Sequence, residues 1–317
     1  MKQSLIAVIF LSGCLFNPVV ALAQPGPREQ LLQMEQASHS LNYELAFIYV
    51  SHMGIESLRY RHAVIDHKVY AQLLQMDGPR REIVQRGEDI SYFEPGLEPF
   101  TLNARQIVDF IPSVLYADFN QLNSSYDFVS VGRTRIANQI CDVIRIVARD
   151  GTRYSYIIWR DVKTKLPLRV DMLDNDGETL EQYRVISFVI NKGAGDLMKQ
   201  LINAAMPPSL SVPTNEKHSF RWKPNWLPQG MREITQSRRD VPSLNKLVES
   251  RLYSDGLFSF SINVSHSDKN SLPQLLRNGR RTVQTEVRDN MEITVVGELP
   301  PATAKRIAAS VMLSPSP

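Results

Sequence analysis

Cysteine is almost absent: the 317-residue chain carries two, Cys14 and Cys141. Cys14 lies in an apolar leader, so Cys141 has no partner in the mature chain and a disulfide framework is excluded. In the apolar strand pattern ICDVIRIVA, Cys141 reads as a small buried hydrophobe. Long apolar runs are missing too. After residue 23, no stretch reaches the roughly 18 apolar residues that a membrane-spanning helix needs. Catalytic signatures are lacking: there is no G-x-S-x-G, H-E-x-x-H, C-x-x-C or P-loop. Gly193-Ala194-Gly195 starts like a dinucleotide fingerprint, but Met198 stands where the third glycine belongs. Asp174, Asp176 and Gly177 resemble part of a calcium loop, yet its first and twelfth ligand positions would be Met172 and Tyr183, so a hairpin turn is expected instead. The spacing of His52, His62 and His67 fits no common metal site, and these read as surface or groove histidines. No catalytic, metal or cofactor residue is assigned, and the chain reads as a non-enzyme.

What is present is an ordinary globular composition, 43% hydrophobic and 22% charged, which excludes disorder of the whole. The net charge of +3 hides an asymmetry. From Lys217 onward there are 15 Lys+Arg against 9 Asp+Glu, net +6, and the remainder, 21 against 24, is net −3. A basic C-terminal part suits an acidic partner. At the other end, Lys2, the apolar run Leu5–Phe16 and Ala21-Leu22-Ala23 read as a signal peptide with cleavage expected after Ala23, hence export. Leu11-Ser12-Gly13-Cys14 is a rival lipoprotein box. It would leave an apolar mature start where a soluble tether is expected.

The stretch from Asn42 to Phe100 reads as an antiparallel meander. In NYELAFIYV, Tyr43, Leu45, Phe47 and Tyr49 share one face, and the apolar Ala46, Ile48 and Val50 suggest that the strand is covered on both sides. Arg28–Ser40 reads as a helix that lids the sheet. The segment after Phe100 has helical spacing at Ile107, Phe110, Ile111, Val114 and Leu115, interrupted at Pro112. Strands resume at Asp127, with turns at Asp150-Gly151 and Asp174–Gly177, giving roughly ten strands before residue 192. Gly193–Ala205 reads as a closing helix. The expected organisation is a signal peptide (1–23), a mainly β N-terminal domain (24–206), a stiff proline-rich linker (207–216) and a small α+β domain (217–317). The N-terminal fold expected is an open antiparallel barrel with helices against its concave face. In the last domain, His218–Met231, LVESRLYSDGLFSFSINVS, GRRTVQTEV and MEITVVGEL read as strands and Thr303–Leu313 as a helix.

Two groups of residues favour binding. Leu45, Phe47, Tyr60, Tyr156, Ile158, Val170, Met172, Ile186 and Phe188 are expected to line an apolar concave face fit for acyl chains, with a plain packed core as the competing reading. Arg238, Arg239, Arg251, Arg280, Arg281 and Arg288 form a C-terminal set suited to carboxylates or phosphates. Phe220, Trp222 and Trp226 interleave with Arg221 and Lys223, but Pro224 and Pro228 break any stacking platform, so domain packing is expected and no nucleic-acid partner.

The stretches LNYEL, ESLRYRHA, QLLQMDGPRREIVQRG, ISYFEPGLEPFTLN, FVSVGRTRIAN, VARDGTRYSYIIW, LPLRVDMLDNDGETLEQYRVI, ESRLYSDGLFSFS and EITVVGELPPATAKRIA resemble the RseB/MucB family. The likeness runs in register from about Leu41 to Ser310. It implies a periplasmic regulator of the sigma-E envelope-stress response, with an N-terminal domain like the lipoprotein carriers LolA and LolB. It also implies a partner, the periplasmic domain of the anti-sigma factor RseA, shielded from site-1 cleavage by DegS. Lipopolysaccharide or a related amphipathic lipid is the implied releasing signal. A lipid or lipoprotein carrier is the alternative, and an unrecognised hydrolase, resting on scattered His and Asp, is a third. Self-association is left open.

Overall fold

The computed structural model describes residues 25–190, 198, 201–210, 218–241, 246–268 and 271–314. The signal-peptide assignment, most of the expected closing helix and most of the linker lie outside these residues. Helix α1 (Pro27–Ser40) starts at a proline, whose missing N–H costs nothing in a first turn, and buries Leu31 and Met34.

Strand β1 (Tyr43–Ser51) buries Tyr43, Leu45 and Phe47, as the period-two pattern requires. Ala46, Ile48 and Val50 are only half-buried, which corrects the expectation of a strand covered on both sides. From β1 the chain meanders to one edge through β2 (Gly54–Ile65), β3 (Lys68–Gln75), β4 (Glu82–Arg86), β5 (Asp89–Phe93) and β6 (Phe100–Asn103). It crosses to the far edge as β7 (Tyr126–Ile136) and returns through β8 (Gln139–Ala148), β9 (Ser155–Asp161), β10 (Pro167–Leu173) and β11 (Thr179–Ile190), which pairs with β1. The result is an eleven-stranded antiparallel sheet in the order 6-5-4-3-2-1-11-10-9-8-7, with β6 and β7 as its unjoined edges. It is open, not closed, and helices pack against its inner face. The hairpin turns at Asp66-His67 and Ala137-Asn138 hold both central residues at positive φ, as tight two-residue turns demand.

The segment between β6 and β7 has little regular structure. It holds one 3-10 turn (Ser113–Tyr116) and the short helix α2 (Phe119–Leu122), capped by the Asp118 carboxylate. The helical spacing from Ile107 to Ile111 does not produce a helix: Pro112 follows, and Phe110 sits at φ +57°. The start of the expected linker is docked onto the sheet. Thr101 donates its N–H to the Pro208 carbonyl (2.8 Å) and its hydroxyl to that of Pro207 (2.9 Å), covering the β6 edge.

In the C-terminal region β12 (Trp222–Pro224) pairs with the late strand β19 (Val311–Leu313). Between them lie β13 (Arg232–Val241), β14 (Lys246–Ser254), β15 (Ser259–His266), β16 (Gln274–Asn278), β17 (Arg281–Arg288) and β18 (Met291–Gly297), ordered 13-14-15-18-17-16. Helix α3 (Pro301–Ser310) buries Ala304, Ile307 and Ala308 against this sheet. The extended reading of residues 218–231 holds only for β12. Edge strands β13 and β16 were not expected, because REITQSRRDV and QLLRN carry no clean apolar alternation.

Candidate functional site

The inner face of the large sheet gathers eight of the nine predicted apolar residues. Leu45, Phe47, Tyr60, Tyr156, Ile158, Val170 and Met172 are each no more than 4% exposed, and Phe188 packs half-buried beside them. Ile186 is the exception and a correction. Ala46 pairs with Ser187 but Phe47 with Val185, so Ile186 is the extra residue of a β-bulge. The bulge reverses its side, and Ile186 is 61% exposed on the outer face.

This face is a filled cup. Leu31 and Met34 of α1, and Ile107, Ile111, Val114, Leu115, Phe119 and Leu122 of the 105–122 segment, bury themselves in the same cluster. The void left among Tyr43, Leu45, Tyr60, Leu115, Tyr116 and Tyr183 holds about 10 Å³, room for one water. A ligand pocket needs ~300–1,000 Å³. An acyl chain therefore enters only if the 105–122 plug leaves. The plug owns few backbone ladders and is held mainly by side chains, the type of element that opens at low free energy. Burial pushes the hydroxyls of Tyr43, Tyr60 and Tyr183 well above the ordinary tyrosine range, and that of Tyr116 to about 12. The Tyr183 hydroxyl is buried without a hydrogen-bond partner.

The plug also touches the second sheet. Ser113 Oγ donates to the Leu257 carbonyl (3.1 Å) and Gln121 Nε2 to that of Asp255 (3.2 Å). Around these contacts the two sheets share one apolar core, with Phe258 stacked on Tyr156 at 5.5 Å. At its centre the Asp255 carboxylate accepts from the Tyr126 hydroxyl (2.6 Å) and from the amides of Leu257 and Phe258 (2.9 Å each). The fully buried Arg153 guanidinium lies 3.4 Å from Asp255 and 3.5 Å from Asp150, over the Tyr126 ring at 5.0 Å. A second meeting point is ionic: Arg277–Asp174 (2.9 Å), Arg280–Glu181 (3.0 Å) and Arg280–Glu298 (3.2 Å). Burial raises the Glu298 carboxyl above the usual range, against the pull of Arg280.

The six predicted arginines do not form one patch. Arg238 and Arg251 pair with Glu249 (2.5 Å) and Glu233 (2.7 Å) and lie near the Phe220 ring at 5.8 and 5.2 Å. Arg288 donates to the carbonyls of Ala308, Ala309 and Val311, capping the C-terminus of α3. Arg280 is held in the ionic seam. These four therefore serve internal contacts, which corrects the expectation of a shared acid-binding surface. Arg239 and Arg281 are exposed and form no ion pair among the described residues.

Several functional neighbours were not foreseen. Asp255 lies in the Ser254-Asp255-Gly256 turn and Arg153 follows the Asp150-Gly151 turn; nothing in periodicity places them together. His62 corrects the surface assignment: it is 4% exposed, donates Nδ1–H to the Leu41 carbonyl (2.8 Å) and stacks on Tyr43 at 5.1 Å. Burial lowers its pKa to about 4, with His39 adding to the effect and the Leu41 carbonyl opposing it. Arg160 is buried under α1, bonded to Asp142 (2.9 Å) and Gln33 (2.6 Å). Cys141 is buried and unpaired, and burial pushes its thiol to about 11. The Asp174 carboxylate accepts from the amides of Asp176 (3.0 Å) and Glu178 (2.9 Å), as a hairpin turn does. Among the described residues no cluster of His, Cys, Asp and Glu could hold a metal ion, and no helix is long and apolar enough to cross a membrane.

Comparison with known proteins fits this architecture. The MucB/RseB N-terminal domain family matches residues 26–210 and the MucB/RseB C-terminal domain family residues 216–312. The Sigma-E factor regulatory protein RseB of Escherichia coli K12 is 60% identical over 312 residues, 98% of each chain. A chain from the complex structure of Pseudomonas aeruginosa MucA/MucB aligns with TM-score 0.72 at 25% identity, over 92% of this chain and 99% of that one. MucB crystallised in complex with MucA(peri) aligns with TM-score 0.71 at 25% identity, over 92% and 100%. The chain belongs to the MucB/RseB family.

Proposed function

We propose that the protein is a non-enzymatic periplasmic regulator that holds the periplasmic domain of an RseA-type anti-sigma factor. In that complex the anti-sigma factor is shielded from its first cleavage by DegS, and sigma-E stays inactive. The observation that carries this reading is the likeness, across 92% of the chain, to MucB solved with MucA(peri). An amphipathic lipid, lipopolysaccharide or a relative, is the releasing ligand. The filled cup supports a release mechanism: acyl chains displace the 105–122 plug, and the plug's bonds to Leu257 and Asp255 carry that displacement to the second sheet. Linkage requires that the lipid bind the unplugged state better than the plugged one, and the absence of acyl-sized space in the plugged cup supplies that difference. A carrier needs a cup that stands ready and no second sheet, so the packed interior weighs against the transport reading.

The test is cleavage of the anti-sigma periplasmic domain by DegS, with and without the mature chain. The chain is expected to slow cleavage, and lipopolysaccharide to restore it. Unprotected cleavage together with stoichiometric lipid uptake would instead identify a carrier.

A further inference from the structure

Beneath the plug, the floor of the cup is not uniformly apolar. Tyr60 of β2, Tyr183 of β11 and Tyr156 of β9 bring hydroxyls into it, and each is no more than 4% exposed. Tyr183 stands between the other two. It borders the void shared with Tyr60 and Tyr116, and also a second void of about 10 Å³ shared with Tyr156.

The plug answers the outer two hydroxyls. Its 3-10 turn carries Ser113 and Tyr116 three residues apart, the spacing that puts two side chains on one side of such a turn. Tyr116 shares a hydrogen bond with Tyr60, and Ser113 Oγ lies 3.3 Å from the Tyr156 hydroxyl. The Tyr183 hydroxyl has no partner among the described residues. Tyr43, on the same floor, donates instead to the Ser38 carbonyl of α1 (3.1 Å), a bond that does not depend on the plug. The charged pair bordering the second void, Arg280–Glu181, is closed at 3.0 Å, which leaves hydroxyls as the polar groups that can select a ligand here.

An occupant that displaces the plug therefore takes over more than apolar surface. A plain alkyl chain can replace Ile111, Val114 and Leu115, but it leaves Tyr60, Tyr156 and Tyr183 against methylenes. Buried hydroxyls without a partner are costly. The plug itself is the template for what fits: apolar side chains with hydroxyls set among them. We propose that the cup selects acyl chains that carry a hydroxyl along their length over plain saturated chains, with that hydroxyl bonding the tyrosines the plug gives up and the unpartnered Tyr183. This rests on the release reading above and names the class of chain that displaces the plug.

The experiment measures displacement of a fluorescent fatty acid from the full mature chain by 3-hydroxytetradecanoate and by tetradecanoate, each below its aggregating concentration. In a merely apolar cup the hydroxyl weakens binding, because it leaves water for no partner. Here the hydroxylated chain is expected to bind about tenfold tighter. Tyr183→Phe, which breaks no hydrogen bond among the described residues, should bring that ratio toward one, and Tyr60→Phe is the second variant. Equal binding, a preference for tetradecanoate, or a ratio unchanged in both variants overturns the hydroxyl selection. Hydrogen exchange separates this from the reading beneath it. If lipopolysaccharide still deprotects residues 107–122, only the selection falls; if it does not, both fall.

Discussion

The two sheets meet at two places of opposite chemistry. Around Asp255 the junction is buried and apolar, and its Arg153–Asp255 ion pair is enclosed by Tyr126, Phe258 and the plug. Along Arg277 and Arg280 it is an ion-pair seam in contact with solvent, with guanidiniums 36% and 32% exposed. Enclosed charges are costly to strand, whereas exposed pairs contribute little and are screened by salt. The difference assigns roles. The buried junction is expected to hold the sheets together more strongly than the Arg277–Asp174 end of the seam, whose guanidinium is the most exposed.

The largest expected effect comes from breaking the buried side. Asp255→Ala leaves the buried Arg153 guanidinium with only the partly exposed Asp150 and removes the acceptor of Tyr126 and two turn amides, so guanidinium-chloride unfolding should show a loss of about 3–5 kcal/mol. Replacing both charges, Arg153→Met with Asp255→Leu, should recover much of that loss; a single variant costing under ~1 kcal/mol would remove the distinction between the two sites.

Acid acts next, most strongly through a residue of the first sheet. His62 has a folded pKa of about 4 against an ordinary 6.5, so protonation favours the unfolded chain. Its contribution is fully present above pH 6.5 and is lost as the pH falls toward 4, on the order of 3 kcal/mol in all. His62→Gln should flatten that part of the stability–pH curve, and an unchanged slope would show that the histidine is not responsible.

Smaller still is Gly230→Ala, beside the buried junction. The residue sits at φ +86°, and a Cβ there would lie 2.5 Å from Ser125 Oγ, so a cost of ~1–3 kcal/mol is expected in thermal unfolding. The smallest effect belongs to the seam. Arg277→Ala should cost under ~1 kcal/mol in low salt and almost nothing in 0.5 M salt, roughly, where exposed pairs are screened. A salt-independent loss above that size would mean that the seam is as structural as the core.

Much of the first sheet was legible because it depends on local rules. Period-two alternation gave β1 its buried Tyr43, Leu45 and Phe47, and the Asp174–Gly177 turn was plain from its residue types. Helix α1 runs Pro27–Ser40, one residue longer than its pattern indicated. What was not legible depends on distant pairing. The bulge that turns Ile186 outward exists only in the register between β1 and β11. The arginines share a sequence region but occupy three places, because β13–β14, the β16–β17 turn and the end of β17 are separated by the strand order 13-14-15-18-17-16. The helical spacing of Ile107 to Leu115 signalled burial correctly and conformation wrongly: Pro112 and the packing of Phe110 override it. His62 shares the face of Leu58 and Tyr60 by alternation, but as a polar side chain it reads as a surface or groove histidine; its burial rests on the distant Leu41 carbonyl and Tyr43 ring.

The claim that joins cup to junction is that the 105–122 plug leaves when lipid enters. Hydrogen exchange of the mature chain, with and without lipopolysaccharide below its aggregating concentration, tests it most directly. Amides of residues 107–122 and of Leu257 and Phe258 are predicted to lose protection together on lipid addition, while β1 and β2 keep theirs. Lipid bound with the plug still protected would contradict the account.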